Sequence, residues 1–227
     1  MLVKTAKRMG IKKDLPTIPS LPLGTAEISM WDFANAYTTL ASNGYKKDLG
    51  VILKVTDMHG NILYEKKNNS TQVLNSNYTF ILNEMLTATY NSAFIDYNTP
   101  TIISLGSKIS RKYAMKTGSS GTDCYMIGYN PDILMLVWNG YDDNRQMNPV
   151  DGNISKNIWV NTVEEYLKDK EARWYDVPEN VVGVPLDAIT GNQAVNDKKM
   201  YVYYYVKGSE YVNSEMEYEG NKENITE

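Results

Sequence analysis

The sequence is poor in the residue types on which many catalytic and cross-linked proteins depend. Its 227 residues include one cysteine, Cys124, and one histidine, His59. A single cysteine excludes an internal disulfide, and its apolar neighbours predict that it packs as a small hydrophobic side chain. His59 is expected at the exposed tip of a hairpin. Because nothing in the sequence brings the two together, a cysteine–histidine catalytic pair is not favoured.

Long apolar runs are also missing. No stretch of about 20 apolar residues occurs, which argues against a membrane span in this chain. The first residues lack the apolar core of a secretory signal and have the spacing of a helix, with Leu2, Val3, Ala6 and Met9 near one face. No capping residue precedes this helix, so we expect these residues to continue a longer polypeptide.

The charge balance is mildly acidic, with a net charge of -4 and a pI near 5.2. This balance argues against a nucleic-acid-binding protein, which usually has a basic face. Asp142, Asp143 and Asp151 fit no calcium-binding loop in their spacing and are interpreted as a solvated acidic loop. The sequence therefore predicts no metal site and no cofactor.

Apolar periodicity and turn residues predict a mixed fold of the α+β kind, an antiparallel sheet flanked by helices. Its three consecutive strands, joined by short turns, predict an antiparallel meander. In the third helix, Ile81, Leu82, Met85 and Leu86 are expected on the buried side. The expected elements are helices over residues 1–10, 25–42, 76–90 and 153–169, strands over 51–56, 62–64, 113–118, 124–129, 133–138 and 200–206, and a loop over 174–185.

The most informative segment is Lys116-Thr117-Gly118-Ser119-Ser120, which follows a short apolar run and so is expected on a strand. A Lys-Thr-Gly triplet alone is a weak signal, since the same residues suit a flexible turn with a surface lysine. A phosphate-binding loop is not favoured, because the Gly-x-x-x-x-Gly-Lys-Ser/Thr pattern and a following helix are both missing.

The residues around the triplet resemble those of the penicillin-binding proteins, and within them the bifunctional class that elongates and cross-links peptidoglycan. The resemblance covers roughly residues 1–208 and implies a partial penicillin-binding/β-lactamase-like transpeptidase fold. It divides the chain into a transpeptidase portion at 1–170, a C-terminal extension at 171–208 and a tail at 209–227 that is expected to be disordered. The segments that carry it are Pro19–Ser29, Ala41–Gly44, Gly128–Pro131, Val137–Asp142 and Arg173–Gly191.

The resemblance implies catalytic roles for Lys116, Thr117 and Ser119, and substrate binding along Lys116, Thr117, Gly118, Ser119 and Ser120. The substrate in that family is a stem peptide that ends in D-Ala-D-Ala, which β-lactams mimic. Lys116 would supply positive charge near the peptide carboxylate and assist proton transfer, while Thr117 and Ser119 would offer hydroxyls. Gly118 would let the ligand lie close to the strand, and the Ser119 N–H would form half of an oxyanion hole.

Two of the three motifs of that active site, Ser-x-x-Lys and Ser-x-Asn, are not found. No serine here has a lysine three residues later. Ser155-Lys156-Asn157 matches Ser-x-Asn only in letters, because it follows the triplet, and it is interpreted as a chance match or a helix cap. Three hypotheses stay open: a transpeptidase fragment that needs the upstream half of its domain, a serine-free peptidoglycan-binding protein, and a structural cell-surface module. By resemblance, the whole protein would work outside the cytoplasmic membrane.

Overall fold

The computed structural model describes residues 1–192 and 199–210. This part of the chain combines helices with antiparallel strands, as the sequence predicts. No helix among the described residues has the length and apolar character needed to cross a membrane. The elements are helices α1 (Leu2–Met9), α2 (Met30–Ala41), α3 (Ser76–Met85) and α4 (Ile154–Leu167), with strands β1 (Tyr45–Lys47), β2 (Lys54–Thr56), β3 (Ile62–Glu65), β4 (Ser70–Gln72), β5 (Ala114–Ser119), β6 (Asp123–Tyr129), β7 (Leu134–Gly140), β8 (Val181–Asp187) and β9 (Met200–Val206).

The central feature is the meander β5–β6–β7, which confirms the prediction of three antiparallel strands. Strands β1 and β4, β2 and β3, and β8 and β9 form separate two-stranded sheets. Short 3₁₀ helices cover Leu21–Leu23, Leu86–Tyr90, Ser92–Phe94, Ile103–Lys108 and Pro149–Asn153.

Helix α4 covers one face of the meander. Trp159 is fully buried there, its ring meets Tyr113 edge-on at 5.1 Å, and its indole N–H donates to the Met135 carbonyl at 3.0 Å. Gly128 makes room for this ring, because a Cβ at that position would come within 2.4 Å of it. The core around it also contains Val160, Val163 and Leu167 of α4 with Met115, Met126 and Val137 of the sheet.

Several expected boundaries are wrong for local reasons. Helix α2 begins at Met30, not at Thr25, because Ser29 is extended and its hydroxyl accepts the Asp32 N–H at 3.1 Å as an N-cap. Strand β2 begins at Lys54 rather than Val51. Helix α3 ends at Met85 and continues as a 3₁₀ helix to Tyr90.

The buried face of α3 also differs from the prediction. Leu82 and Met85 are exposed, whereas Asn83 and Glu84 are buried. Asn83 lies inside because its side chain donates to the Leu40 carbonyl and accepts from the Tyr129 hydroxyl. Polar residues can replace apolar ones in a core when their hydrogen bonds are complete, and an apolar pattern does not show this.

Strands β8 and β9 form an antiparallel pair, and β8 lies where the sequence predicted a loop up to Pro185. Strand β8 includes Pro185 and pairs with β9, which forms as predicted. A proline is tolerated here because the sheet has only two strands, so its missing N–H can face away from the ladder. Glu84 of α3 ties the segment before β8 to the core, because its carboxylate accepts from Trp174 Nε1 at 2.6 Å. The other carboxylate oxygen of Glu84 accepts from Lys112 Nζ at 2.5 Å. The predicted tail lies, from residue 211 onwards, outside the described residues.

Candidate functional site

The Lys-Thr-Gly triplet lies on β5, as its apolar flank predicts. Tyr113, Ala114 and Met115 are fully buried and fix the first half of the strand in the core. The second half, from Lys116 to Ser119, is exposed or half-buried. One strand therefore combines a rigid anchor with a segment that ligands can reach.

Strand β5 stands at the end of the strand order β5–β6–β7, so in the described part of the chain only β6 pairs with it. Along β6 its register runs from Ala114 opposite Tyr129 to Ser119 opposite Cys124. The other edge of β5 presents backbone groups that no strand of the described ranges uses. An edge of this kind can pair with an extended peptide through main-chain hydrogen bonds.

The side chains of Lys116 and Thr117 lie on opposite faces of β5, as strand geometry requires. Lys116 Nζ donates to the Thr117 carbonyl at 2.7 Å, which folds the side chain back along its own strand. The Thr117 hydroxyl donates to Thr101 Oγ1 at 3.2 Å. Thr101 is 16 residues upstream, in a segment where the sequence shows no motif, so its part in the site could not have been predicted.

Gly118 is not required by the packing of the protein itself. A Cβ at this position would meet Tyr125 at 3.7 Å, an ordinary van der Waals contact. The glycine therefore keeps space open on the solvent side of the strand and does not relieve an internal clash. Ser119 is exposed, and its hydroxyl makes no hydrogen bond within the described residues.

Ser120 ends the site strand by shaping the turn to β6. Its hydroxyl accepts the N–H groups of Thr122 at 3.2 Å and Asp123 at 3.0 Å, and donates to the Asp123 carboxylate at 3.1 Å. Asp123 also accepts from the Thr122 hydroxyl and from Trp138 Nε1. These hydrogen bonds, from Thr122, Trp138 and Ser120 in falling order, lower the pKa of Asp123. Ser120 is thus engaged in the turn before any ligand arrives.

Of the other candidate residues Cys124, His59 and Ser155, the structure brings Cys124 next to β5, opposite Ser119. Cys124 is buried on β6, where burial raises the pKa of its thiol and makes it a poor nucleophile. His59 lies in the β2–β3 turn, as predicted, with its N–H donating to Asp57. Ser155 is buried in the first turn of α4, and its N–H donates to the Asn139 side chain. Asn153 occupies the N-cap position of this helix, so Ser155 is not its cap. Among the described residues no three histidine, cysteine or acidic side chains converge as metal ligands would.

Comparisons with known proteins support the motif resemblance. No family model matches the chain. Penicillin-binding protein 2D of Bacillus subtilis is 36% identical over 214 residues, which is 93% of this chain and 31% of that protein. Penicillin-binding protein 1A of Neisseria meningitidis is 26% identical over 186 residues, which is 78% of this chain and 22% of that protein. The chain thus spans a third or less of the length of these relatives.

The fold has a close counterpart among solved structures. The crystal structure of penicillin-binding protein 1A from Haemophilus influenzae superposes with a TM-score of 0.76 and 20% identity, covering 92% of this chain and 37% of that one. The mixed fold of helices and antiparallel sheets is therefore the fold of that protein over the matched region. Sequence and fold together confirm that this chain resembles a segment of a penicillin-binding protein transpeptidase domain.

Proposed function

We propose that this chain supplies the peptide-binding strand of a D,D-transpeptidase that cross-links peptidoglycan. The observation that carries the proposal is the open, exposed edge of β5 at Lys116 to Ser119, on a strand whose other half is fully buried. The relatives named penicillin-binding protein support the class. Stem peptides ending in D-Ala-D-Ala, and the β-lactams that mimic them, are the proposed ligands.

The proposal assigns a role to each residue of the exposed half of β5 and of the turn after it. An extended stem peptide adds to the edge of β5, and its terminal carboxylate lies near the Lys116 ammonium and the hydroxyls of Thr117 and Ser119. Gly118 allows close approach, since nothing in the packing requires a glycine there. The Ser119 N–H contributes to stabilising the oxyanion in acyl transfer. Ser120 takes part by fixing the turn at the end of the edge.

Lys116 must change its contact for this to happen. Its ammonium donates to the Thr117 carbonyl in an exposed hydrogen bond. A peptide carboxylate can replace this carbonyl as the acceptor, because a hydrogen bond between two charged groups is stronger than one to a neutral carbonyl. Once released, Lys116 can also move a proton to or from the reacting group.

Acyl transfer also needs a nucleophile, and these 227 residues contain no Ser-x-x-Lys sequence. The chain alone is therefore expected to bind the peptide weakly and to form no acyl-enzyme. The upstream half of the transpeptidase domain is the proposed partner that brings the serine, and the assembled protein is proposed to work at the outer face of the cytoplasmic membrane. The exposed edge of β5 also suits the second candidate, a peptidoglycan-binding module without catalysis.

Peptide binding is tested by titrating the ¹⁵N-labelled chain with diacetyl-Lys-D-Ala-D-Ala. We expect saturable amide shifts at Thr117, Gly118 and Ser119, and at least about a fivefold loss of affinity in Lys116→Ala, since a charge-assisted contact is worth about 1.5–3 kcal/mol. Lys54→Ala, which removes another exposed lysine, from strand β2, is the control and should bind normally.

The L-Ala-L-Ala isomer separates specific from general binding, because only the D,D peptide should shift the β5 amides. Equal shifts from both isomers, or shifts away from β5, would refute the proposed role of the strand. Intact mass measured after incubation with benzylpenicillin tests the claim that this chain lacks the nucleophile. An unchanged mass agrees with a chain that lacks the nucleophile, whereas a covalent adduct on this chain would overturn that claim.

A further inference from the structure

A cavity of about 300 Å³ lies between the end of α1, the first half of α2 and the segment that follows β1. None of its lining residues belongs to β5 or to the turn after it, so it is separate from the site proposed above. The volume exceeds that of a single inorganic anion and lies at the lower end of the range for small-molecule sites. The residues that give it chemical character are Lys7, Lys12, Trp31, Asn35, Lys46 and Asp48.

The buried amide of Asn35 supplies a hydrogen-bond donor with no protein partner. Asn35 is only 6% exposed, and its Oδ1 accepts the Leu49 N–H at 3.0 Å. This bond fixes the amide orientation and turns the nitrogen toward Gly10, where an added Cβ would lie 2.6 Å from it. The Asn35 amide nitrogen makes no hydrogen bond within residues 1–192 and 199–210. The nitrogen is not among the fully buried atoms that lack a hydrogen bond, so it is accessible from the cavity and can donate to an acceptor there.

The lining is rich in positive charge. Lys7 pairs with Asp14 at 2.7 Å, and Lys46 pairs with the lining carboxylate of Asp48 at 3.1 Å. The Lys12 ammonium has no acidic partner in the described part of the chain. The carboxylates of Asp14 and Asp48 are well exposed, and exposed ion pairs contribute little, so an anion can take over these lysines. Residues 1–13 also contain five basic residues and no acidic one.

Trp31 adds an aromatic wall, since its half-exposed side chain lines the same cavity. An indole face offers a flat apolar surface to a ring of the ligand, while the lysines and the amide attract oxygen atoms. We propose that this cavity binds a small phosphorylated ligand of sugar size. The phosphoryl group lies against Lys12 and Lys46, an oxygen accepts from the Asn35 amide, and the ring packs on Trp31.

The test titrates the 227-residue chain with glucose 6-phosphate, followed by ¹⁵N shifts of the Asn35 side-chain amide and the Trp31 indole. Glucose 6-phosphate is expected to bind saturably, inorganic phosphate more weakly, and glucose not detectably. Lys12→Ala should weaken glucose 6-phosphate binding at least about fivefold, in line with the loss of one charge-assisted contact. Lys13→Ala is the matched control, because it removes the same charge from the next residue, which pairs with Glu27 and does not line the cavity.

The proposal stands if the shifts at Asn35 and Trp31 saturate and only Lys12→Ala reduces the affinity. It is overturned if the shifts do not saturate, or if both lysine variants weaken binding equally, which would indicate diffuse attraction to a basic surface. Glucuronate carries a carboxylate in place of the phosphate. If it binds as tightly as glucose 6-phosphate, the assignment of a phosphorylated ligand is overturned. None of these outcomes depends on peptide binding at β5.

Discussion

Two antiparallel strand pairs of this chain have comparable sequences, in which a tight turn joins apolar strands. One of them is buried and the other is exposed to solvent. In the meander, Met126, Tyr129 and the adjoining Met115 are fully buried. In the β2–β3 hairpin, every strand residue is exposed, and Leu63 retains 67% of its accessible surface. Strand pairing is thus decided locally, whereas burial depends on what packs on the ladder, here helix α4 on the meander.

The difference in burial also explains which strand can hold the backbone of the candidate site in a fixed position. A site strand needs a fixed backbone, and β5 obtains one from the buried residues that precede Lys116. The β2–β3 hairpin has no such anchor, and a two-stranded ladder alone is only marginally stable in water. Three pairs of substitutions test this comparison.

The largest effect is expected from truncating the residue that ties α4 to the meander. Trp159→Ala should lower the free energy of unfolding by about 3–5 kcal/mol, because it leaves a large cavity in the core. Leu63→Ala removes a large apolar side chain from the exposed hairpin and should cost less than about 0.5 kcal/mol. Urea unfolding followed by far-UV circular dichroism measures both. Equal losses would show that the hairpin is packed in solution.

Substitutions at two glycines distinguish a steric clash from backbone strain as causes of a lower free energy of unfolding. Gly128→Ala should destabilise by about 1–3 kcal/mol because the new Cβ overlaps the Trp159 ring. Gly60→Ala, in the hairpin turn, should cost about 1 kcal/mol, since nothing lies within 4 Å but the backbone φ is +83°.

The two costs respond differently to a second substitution. In a Trp159→Ala background the penalty of Gly128→Ala should largely disappear, while that of Gly60→Ala should persist. A double-mutant cycle in urea measures this coupling. A Gly128→Ala penalty that survives the removal of the ring would show that the backbone, and not Trp159, requires the glycine.

The smallest effect concerns the turn that closes the site strand. The folded-state pKa of Asp123 lies below its ordinary value of 3.8, so its ionised form favours the fold. This stabilisation is expected to be complete above about pH 5 and to be lost as the pH falls through about 4 and below. Asp123→Asn should therefore lower the melting temperature at pH 7 by more than it does at pH 3.

Asp57, whose pKa is lowered by hydrogen bonds from Asn61 and His59, provides the comparison in the hairpin. Asp57→Asn should change the melting temperature less than Asp123→Asn, because the strands that its turn joins are exposed. Thermal scans of both variants at pH 7 and pH 3 measure the difference. A pH-independent loss in Asp123→Asn would mean that the turn depends on side-chain shape and not on charge.

Much of the fold around the site could be predicted from sequence. The apolar run before Lys116, the turns after Ser120 and Tyr129, and the two strands between them are local signals, and the meander forms as they predict. The buried face of α3 and the β8 strand could not be predicted. In both cases a distant partner decides the outcome, Tyr129 for Asn83 and β9 for Pro185.

Three properties can be read from the amino-acid sequence without the structure: the spaced motifs, the strand that carries Lys116, Thr117 and Gly118, and the absence of Ser-x-x-Lys from these 227 residues. These properties depend on residue type and short-range spacing, which the chain carries with it. Tertiary packing was needed to bring Thr101 to Thr117 and to place the Asn35 amide, Lys12 and Trp31 around one cavity. Those contacts join distant or differently folded segments, and the packing of helices and strands alone brings them together.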